Sequence, residues 1–256
     1  MIAGDFAADP AVIYNGRSVI DTTRKFYWGI SQGGIYGVVI VATSTDIERG
    51  QLGVPGGPYP LLLPRSVDFD PYYTILKGRY ANPFDRLMLL TLIGLVWDWA
   101  EPGGYMGTLS GPYQLGPQPK RIYADYALGD AQVHFLGAYM IARSFGAKLF
   151  TGNNACANET DPIYGFEVTD GPETEGSVLV GWDFPDRPCA PPFVNLPPLK
   201  EYDTHSQPRR QPINQQMADT FFKTGVIADL CENDGCHGQI LKDLTPDPHD
   251  NPIFRL

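Results

Sequence analysis

The chain has 256 residues, 43% of them hydrophobic and 19% charged, which suits one sizeable globular domain with a real core. Its net charge of −10 excludes the basic footprint that nucleic-acid binding needs and disfavours an anionic membrane surface. The longest apolar stretch, Leu87 to Trp97, is interrupted by Thr91 and Gly94 and falls short of the roughly 20 residues that a bilayer span takes.

Met1 to Pro10 carries Asp5 and Asp9 where a secretory leader would be basic and then apolar, so no signal peptide is read. Arg24 to Trp28 reads as a strand running into a Gly-rich turn, and Gly33 to Thr43, small and apolar, as a buried helix. Gln51 to Val54 is a short buried strand that ends at Pro55-Gly56-Gly57. Strand, sharp turn, helix and strand make a βαβ crossover, which predicts a parallel sheet. Pro71 to Ala100 is helical, with apolar residues at helical spacing from Phe84 to Trp97, and Glu101-Pro102-Gly103-Gly104 stops it. Gly111 to Pro119 is a Pro/Gly loop, and Lys120 to Leu128 is a strand followed by Gly129-Asp130. Val133 to Phe145 is a helix closed by Gly146; Lys148 to Phe150 and Ser177 to Phe184 are strands. Pro185 to Leu199 is Pro-rich and extended, and Gln211 to Thr224 is an amphipathic helix ending at Gly225. The expected fold is therefore α/β: a mostly parallel, open sheet flanked by helices, forming one domain over 1–256, with a helical cap inserted at 71–119 and a tail at 226–256.

The chemistry centres on Gly29-Ile30-Ser31-Gln32-Gly33. A serine hydroxyl is a weak nucleophile at neutral pH and needs a base in hydrogen-bond reach and a third group to orient that base. Small residues at Gly29 and Gly33 let strand and helix meet at a strained bend, and Ser31 then projects its oxygen above the sheet edge. The Gln32 backbone N–H, at the helix start, is placed to donate to an oxyanion. The competing reading of the pentapeptide is a serine in an ordinary helix-capping turn. The run Tyr27-Trp28-Gly29-Ile30-Ser31-Gln32-Gly33-Gly34 resembles the nucleophile elbow of α/β-hydrolases of the esterase and prolyl-oligopeptidase-like branches.

That resemblance implies a serine hydrolase with triad residues in the chain order Ser, Asp or Glu, then His. Asp130, in Leu128-Gly129-Asp130-Ala131-Gln132-Val133, is similar to the family's acid loop; its competing role is to cap the helix beginning near Val133. Asp125, inside the preceding strand, is the weaker candidate. Of the four histidines, His205, in a loop ahead of the helix carrying Phe221-Phe222, resembles the family's base. His237 is the alternative base, His134 comes too early, and His249 lies in the polar tail. The substrate expected is a small ester, with an amide second, and Trp97, Trp99 and Tyr105 either cap an apolar pocket or simply pack the core. No cofactor and no metal are expected.

Cys231, Cys236, Cys156 and Cys189 all lie in loop-like sequence of the second half. An even count favours two disulfides: Cys231–Cys236 would close a tight loop, leaving Cys156–Cys189. With the sequon Asn158-Glu159-Thr160, this favours a secreted or extracytoplasmic parent protein. Zinc on Cys231, Cys236 and His237 is a rival, but the spacing fits no standard finger. Asp68 and Asp70 read as a polar turn before a helix rather than a cation site.

In the resembled family about half the sheet, and one oxyanion donor, precede the elbow. Here Ser31 lies close to Met1, so the chain is expected to be a fragment, or to pair with a missing N-terminal half or a second chain. The alternative function is a non-catalytic binding or assembly domain, or an inactive fragment.

Overall fold

The computed structural model describes residues 4–150, 152, 163–185, 196–231 and 235–241. Cys156, Cys189, the sequon at Asn158, His249 and most of the Pro-rich segment lie outside them. The chain opens with a hairpin of β1 (Ile13–Tyr14) and β2 (Arg17–Ser18) around Asn15-Gly16, both at positive φ, the pairing that a two-residue hairpin turn selects. There follow β3 (Phe26–Ile30), α1 (Gln32–Thr43), β4 (Arg49–Gly53), α2 (Tyr59–Leu62), α3 (Asp70–Arg79) and α4 (Pro83–Trp97). The second half contributes β5 (Arg121–Ala127), α5 (Phe135–Ser144), β6 (Lys148–Phe150), β7 (Val168–Thr169), β8 (Val178–Asp183), α6 (Pro212–Thr224) and β9 (Cys236–His237).

Seven strands form one sheet in the order β3-β4-β5-β8-β6-β7, with β9 also on β8, and every pairing in it is parallel. The expected α/β architecture is present. Parallel strands are covered on both faces, so the central ones read as nearly unbroken buried runs. In β5, Ile122, Ala124 and Tyr126 pack on one face with Val38 and Val41 of α1 and Ala138 and Ile141 of α5. Tyr123 and Ala127 pack on the other with Val180 and Trp182 of β8 and Met217 and Phe221 of α6. Each such large, fully buried side chain contributes about 1.5–3 kcal/mol. By contrast β3 is an edge strand, paired among the described residues with β4 alone, and Trp28 on it is exposed.

Boundaries moved where side chains overrode periodicity. The helix expected over Pro71 to Ala100 is two helices, because Asn82 caps a new start, accepting from the Phe84 N–H, and Pro83 occupies its first position. Arg86 anchors the break by donating to the Tyr80 and Ala81 carbonyls. α4 buries only Arg86, Leu90 and Gly94; Gly94 is needed because a Cβ there would lie 2.4 Å from Pro60. The helix after Asp130 begins at Phe135 rather than Val133, capped by His134. α6 ends where expected, at Gly225 with φ 83°, a conformation glycine reaches without steric cost. No helix among the described residues is long and apolar enough to cross a membrane.

Candidate active site

Ser31 sits between the last residue of β3 and the first of α1, with φ 59° and ψ −124°. A non-glycine residue there carries backbone strain of order 1–3 kcal/mol, so the surroundings must hold it. The Ser31 N–H donates to the Gly53 carbonyl at 2.9 Å, and its own carbonyl accepts from Ile35, starting the helix. Two glycines let the backbones approach. A Cβ on Gly29 would meet the Gly33 carbonyl oxygen at 2.4 Å, and one on Gly34 would meet the Gly53 carbonyl oxygen at 2.5 Å. Gly33, expected to be part of the close approach, is not: a Cβ there would find only the Tyr27 hydroxyl, at 3.8 Å. The tight residue on the helix side is Gly34. Gly34→Ala is therefore expected to destabilise the fold by about 1–3 kcal/mol, whereas Gly33→Ala changes it little. Thermal unfolding of the two variants checks this, at about 2–4 °C of midpoint per kcal/mol.

Asp130 follows β5 after Gly129, whose φ of 85° turns the chain back over the sheet. The carboxylate is fully buried. Its Oδ1 accepts from the Gln132 and Val133 N–H groups at 2.9 and 2.8 Å, and its Oδ2 lies 2.8 Å from His205 Nδ1. Asp130 thus fixes the turn through one oxygen and faces His205 through the other, while the cap of α5 is His134. The other ring nitrogen, His205 Nε2, is 2.7 Å from Ser31 Oγ. A carboxylate at Nδ1 holds the ring proton there and leaves Nε2 as acceptor for the serine hydroxyl.

The loop carrying His205 is pinned to the loop carrying Asp130 by residues that the sequence reading did not single out. Asp203 Oδ1 accepts from both the Ala131 and His205 N–H groups, at 2.9 and 3.1 Å, and its Oδ2 accepts from the Gln132 side chain at 2.7 Å. Thr204 Oγ1 donates to the Leu128 carbonyl at 2.7 Å. An Asp two residues before a loop His was the available signal, since such a carboxylate commonly accepts a backbone N–H two residues on.

Burial works against the imidazolium of His205, but the charge and hydrogen bond of Asp130, with Asp203 nearby, outweigh it and raise its pKa above the ordinary 6.5. Burial likewise raises the Asp130 carboxyl, with the His205 contact opposing. We place the negative charge on Asp130 at neutral pH, because its two oxygens are met by three N–H donors.

The other candidates lie elsewhere. His237 is exposed on β9, with Nδ1 3.6 Å from Asp183 Oδ2. His134 is buried with its Nδ1 accepting from the Leu136 N–H, and burial, helped by the Arg65 charge, pushes its pKa down to about 4. Asp125 belongs to the α6 face of β5, where it is bonded to Gln51, Asn214 and the Val54 N–H; burial pushes it up to about 6 despite those contacts. Cys231 and Cys236 are joined in a disulfide, which uses the sulfurs a zinc site would need. Ser66 Oγ accepts from the Asp68 N–H ahead of α3, so Asp68 and Asp70 lie at a polar turn as expected. Among the described residues no cluster of three metal-ligating side chains occurs.

Ser31 and His205 open onto a cleft of about 970 Å³ that also takes in Trp28, Gln132, Arg209 and Arg210. Its lining includes no residue of 71–119. Gln32 is the first residue of α1, where the first-turn N–H groups have no intrahelical acceptor and carry the positive end of the helix dipole. The chain matches no family model, no curated protein and no solved structure.

Proposed function

We propose that this chain is a serine hydrolase of the α/β-hydrolase type, cleaving a small ester in preference to an amide. The observation that carries the reading is the continuous hydrogen-bonded line Ser31 Oγ, His205 Nε2, His205 Nδ1, Asp130 Oδ2, with links of 2.7 and 2.8 Å. A nucleophile, a base and an orienting carboxylate in this order are what acyl transfer through an acyl-enzyme requires. Ser31 attacks the carbonyl as His205 takes its proton; Asp130 stabilises the imidazolium; His205 then returns the proton to the leaving alcohol. The Gln32 N–H stabilises the oxyanion. Water repeats the sequence on the acyl-enzyme and frees the acid.

The placement of the groups supports this reading. Ser31 and Asp130 both follow the carboxyl ends of parallel strands, where open α/β sheets bind their ligands. The test is covalent labelling of the intact chain by a fluorophosphonate, read by peptide mass spectrometry. Phosphonylation of Ser31 supports the enzyme. No labelling of the folded chain rejects it and favours the non-catalytic binding domain.

The pH profile is a second expected outcome. The base works only when neutral, and its pKa is raised, so activity is present at high pH and lost as pH falls through a value above 6.5. A kcat/KM profile for a short p-nitrophenyl ester checks this; an acid limb centred well below 6.5 would remove His205 as the base.

A further inference from the structure

A second cavity, of about 360 Å³, lies among α1, α2, the start of α3 and the end of α4. Its walls are five aromatic rings, Tyr36, Tyr59, Phe69, Tyr72 and Trp97, with Leu63, Ala100 and Glu101 completing the lining. Two pairs of these rings are set at angles: Tyr36 and Tyr59 have centroids 6.4 Å apart and planes at 58°, and Tyr59 and Trp97 lie 6.0 Å apart at 78°. Phe69 and Tyr72 instead stack, with centroids 5.9 Å apart and planes at 23°, so rings from several elements surround one half-open volume.

Glu101 is 2% exposed. One carboxylate oxygen, Oε2, accepts from the Tyr59 N–H at 3.0 Å, whereas Oε1 is buried and makes no close hydrogen bond, the Gly103 N–H and the Asp98 carboxyl being the polar groups beside the carboxylate. Asp98 is close enough to add its own negative charge, and among the described residues no lysine or arginine forms an ion pair with either acid. A buried carboxylate with no cation beside it is costly, and a neutral apolar guest would leave it so.

We propose that this cavity binds an alkylated ammonium ion. The quadrupole of each ring attracts a cation placed over its face, and the Glu101 carboxylate supplies the opposite charge. Several ring faces and few acceptors favour an ammonium whose N–H groups are replaced by methyls, because a primary ammonium needs three acceptors and would be poorly served. The inference is independent of hydrolysis at Ser31, because none of its residues is a member of the Ser31, His205 and Asp130 line.

Titration of the intact chain with choline, followed by calorimetry and by ligand-observed NMR, tests it. The control is choline's neutral isostere, in which a tert-butyl group replaces the trimethylammonium, at matched ionic strength. Expected are saturable binding of choline at one site per chain and at least roughly tenfold weaker binding of the isostere. Glu101→Gln should lower choline affinity and shrink that preference. Tyr72 is 65% exposed, so Tyr72→Leu, which leaves the fold intact, should also weaken choline. Equal affinity for choline and isostere overturns the proposal, leaving a merely apolar cavity. So does failure of choline to saturate, or choline binding unchanged in Tyr72→Leu.

Discussion

Replacing Ser31 with alanine is expected to lower turnover of a short p-nitrophenyl ester by about 10⁴- to 10⁶-fold and to abolish fluorophosphonate labelling. The size follows from what is removed. Without the oxygen there is no acyl-enzyme, and His205 can do no more than assist water in a cleft shaped for another nucleophile. The fold should hardly notice. Alanine keeps the Cβ that the φ of 59° already accommodates, and the Ser31 N–H still reaches the Gly53 carbonyl. The lost Oγ–His205 hydrogen bond is worth about 1 kcal/mol. A Ser31→Ala protein with unchanged thermal unfolding and full ester turnover would place the chemistry elsewhere.

Asp130→Asn should cost about 10⁴-fold in kcat while leaving the fold in place. The reasoning depends on the carboxylate's two separate duties. An asparagine can keep its oxygen on the Gln132 and Val133 N–H groups, so the turn survives. Its NH₂ then faces His205 Nδ1, where it donates instead of accepting. The ring proton is driven to Nε2, and the nitrogen nearest Ser31 Oγ no longer accepts. The acid limb of the residual activity should also move to lower pH, because the charge that raises the His205 pKa is gone. Asp130→Ala separates the two duties. It strips the turn as well and should unfold more easily by about 1–3 kcal/mol. Urea unfolding and pH–rate profiles of the two variants, side by side, distinguish orientation from scaffolding. If Asp130→Asn retains wild-type kcat, this carboxylate does not orient His205 for the proposed reaction.

The three residues that the structure brings together at the candidate site were legible because the proposed chemistry leaves local marks. Ser31 stands in a pentapeptide whose glycines have few other uses, and Asp130 and His205 follow in order in turns between regular elements. The central strands were legible because burial on both faces makes β5 and β8 apolar throughout. What escaped is what depends on distant partners. β7 and β9 are two residues each, too short to show any period, and exist because β6 and β8 offer them a ladder. Gly33 and Gly34 are indistinguishable in sequence; only the position of the Gly53 carbonyl makes the second one tight. Asp203 looked like any loop acid, since its value lies in the Ala131 and Gln132 donors that arrive from more than seventy residues away. The start of α5 slipped by two residues because Asp130 and His134 both offer a side-chain acceptor to the next turn, and periodicity cannot rank them.

Ser31 and the histidine that faces it are 174 residues apart, and the histidine's loop is held by contacts with the Asp130 loop. During synthesis the serine's strand, turn and helix therefore emerge long before their proton acceptor exists. At about 5–20 residues per second the lag is on the order of ten seconds or more. Throughout it the serine is an ordinary alcohol, inert towards esters and towards phosphonylating reagents. On the function proposed above, reactivity switches on only when the 203–205 loop docks, which makes covalent labelling a clock for that long-range step of folding and keeps the unfinished chain chemically silent.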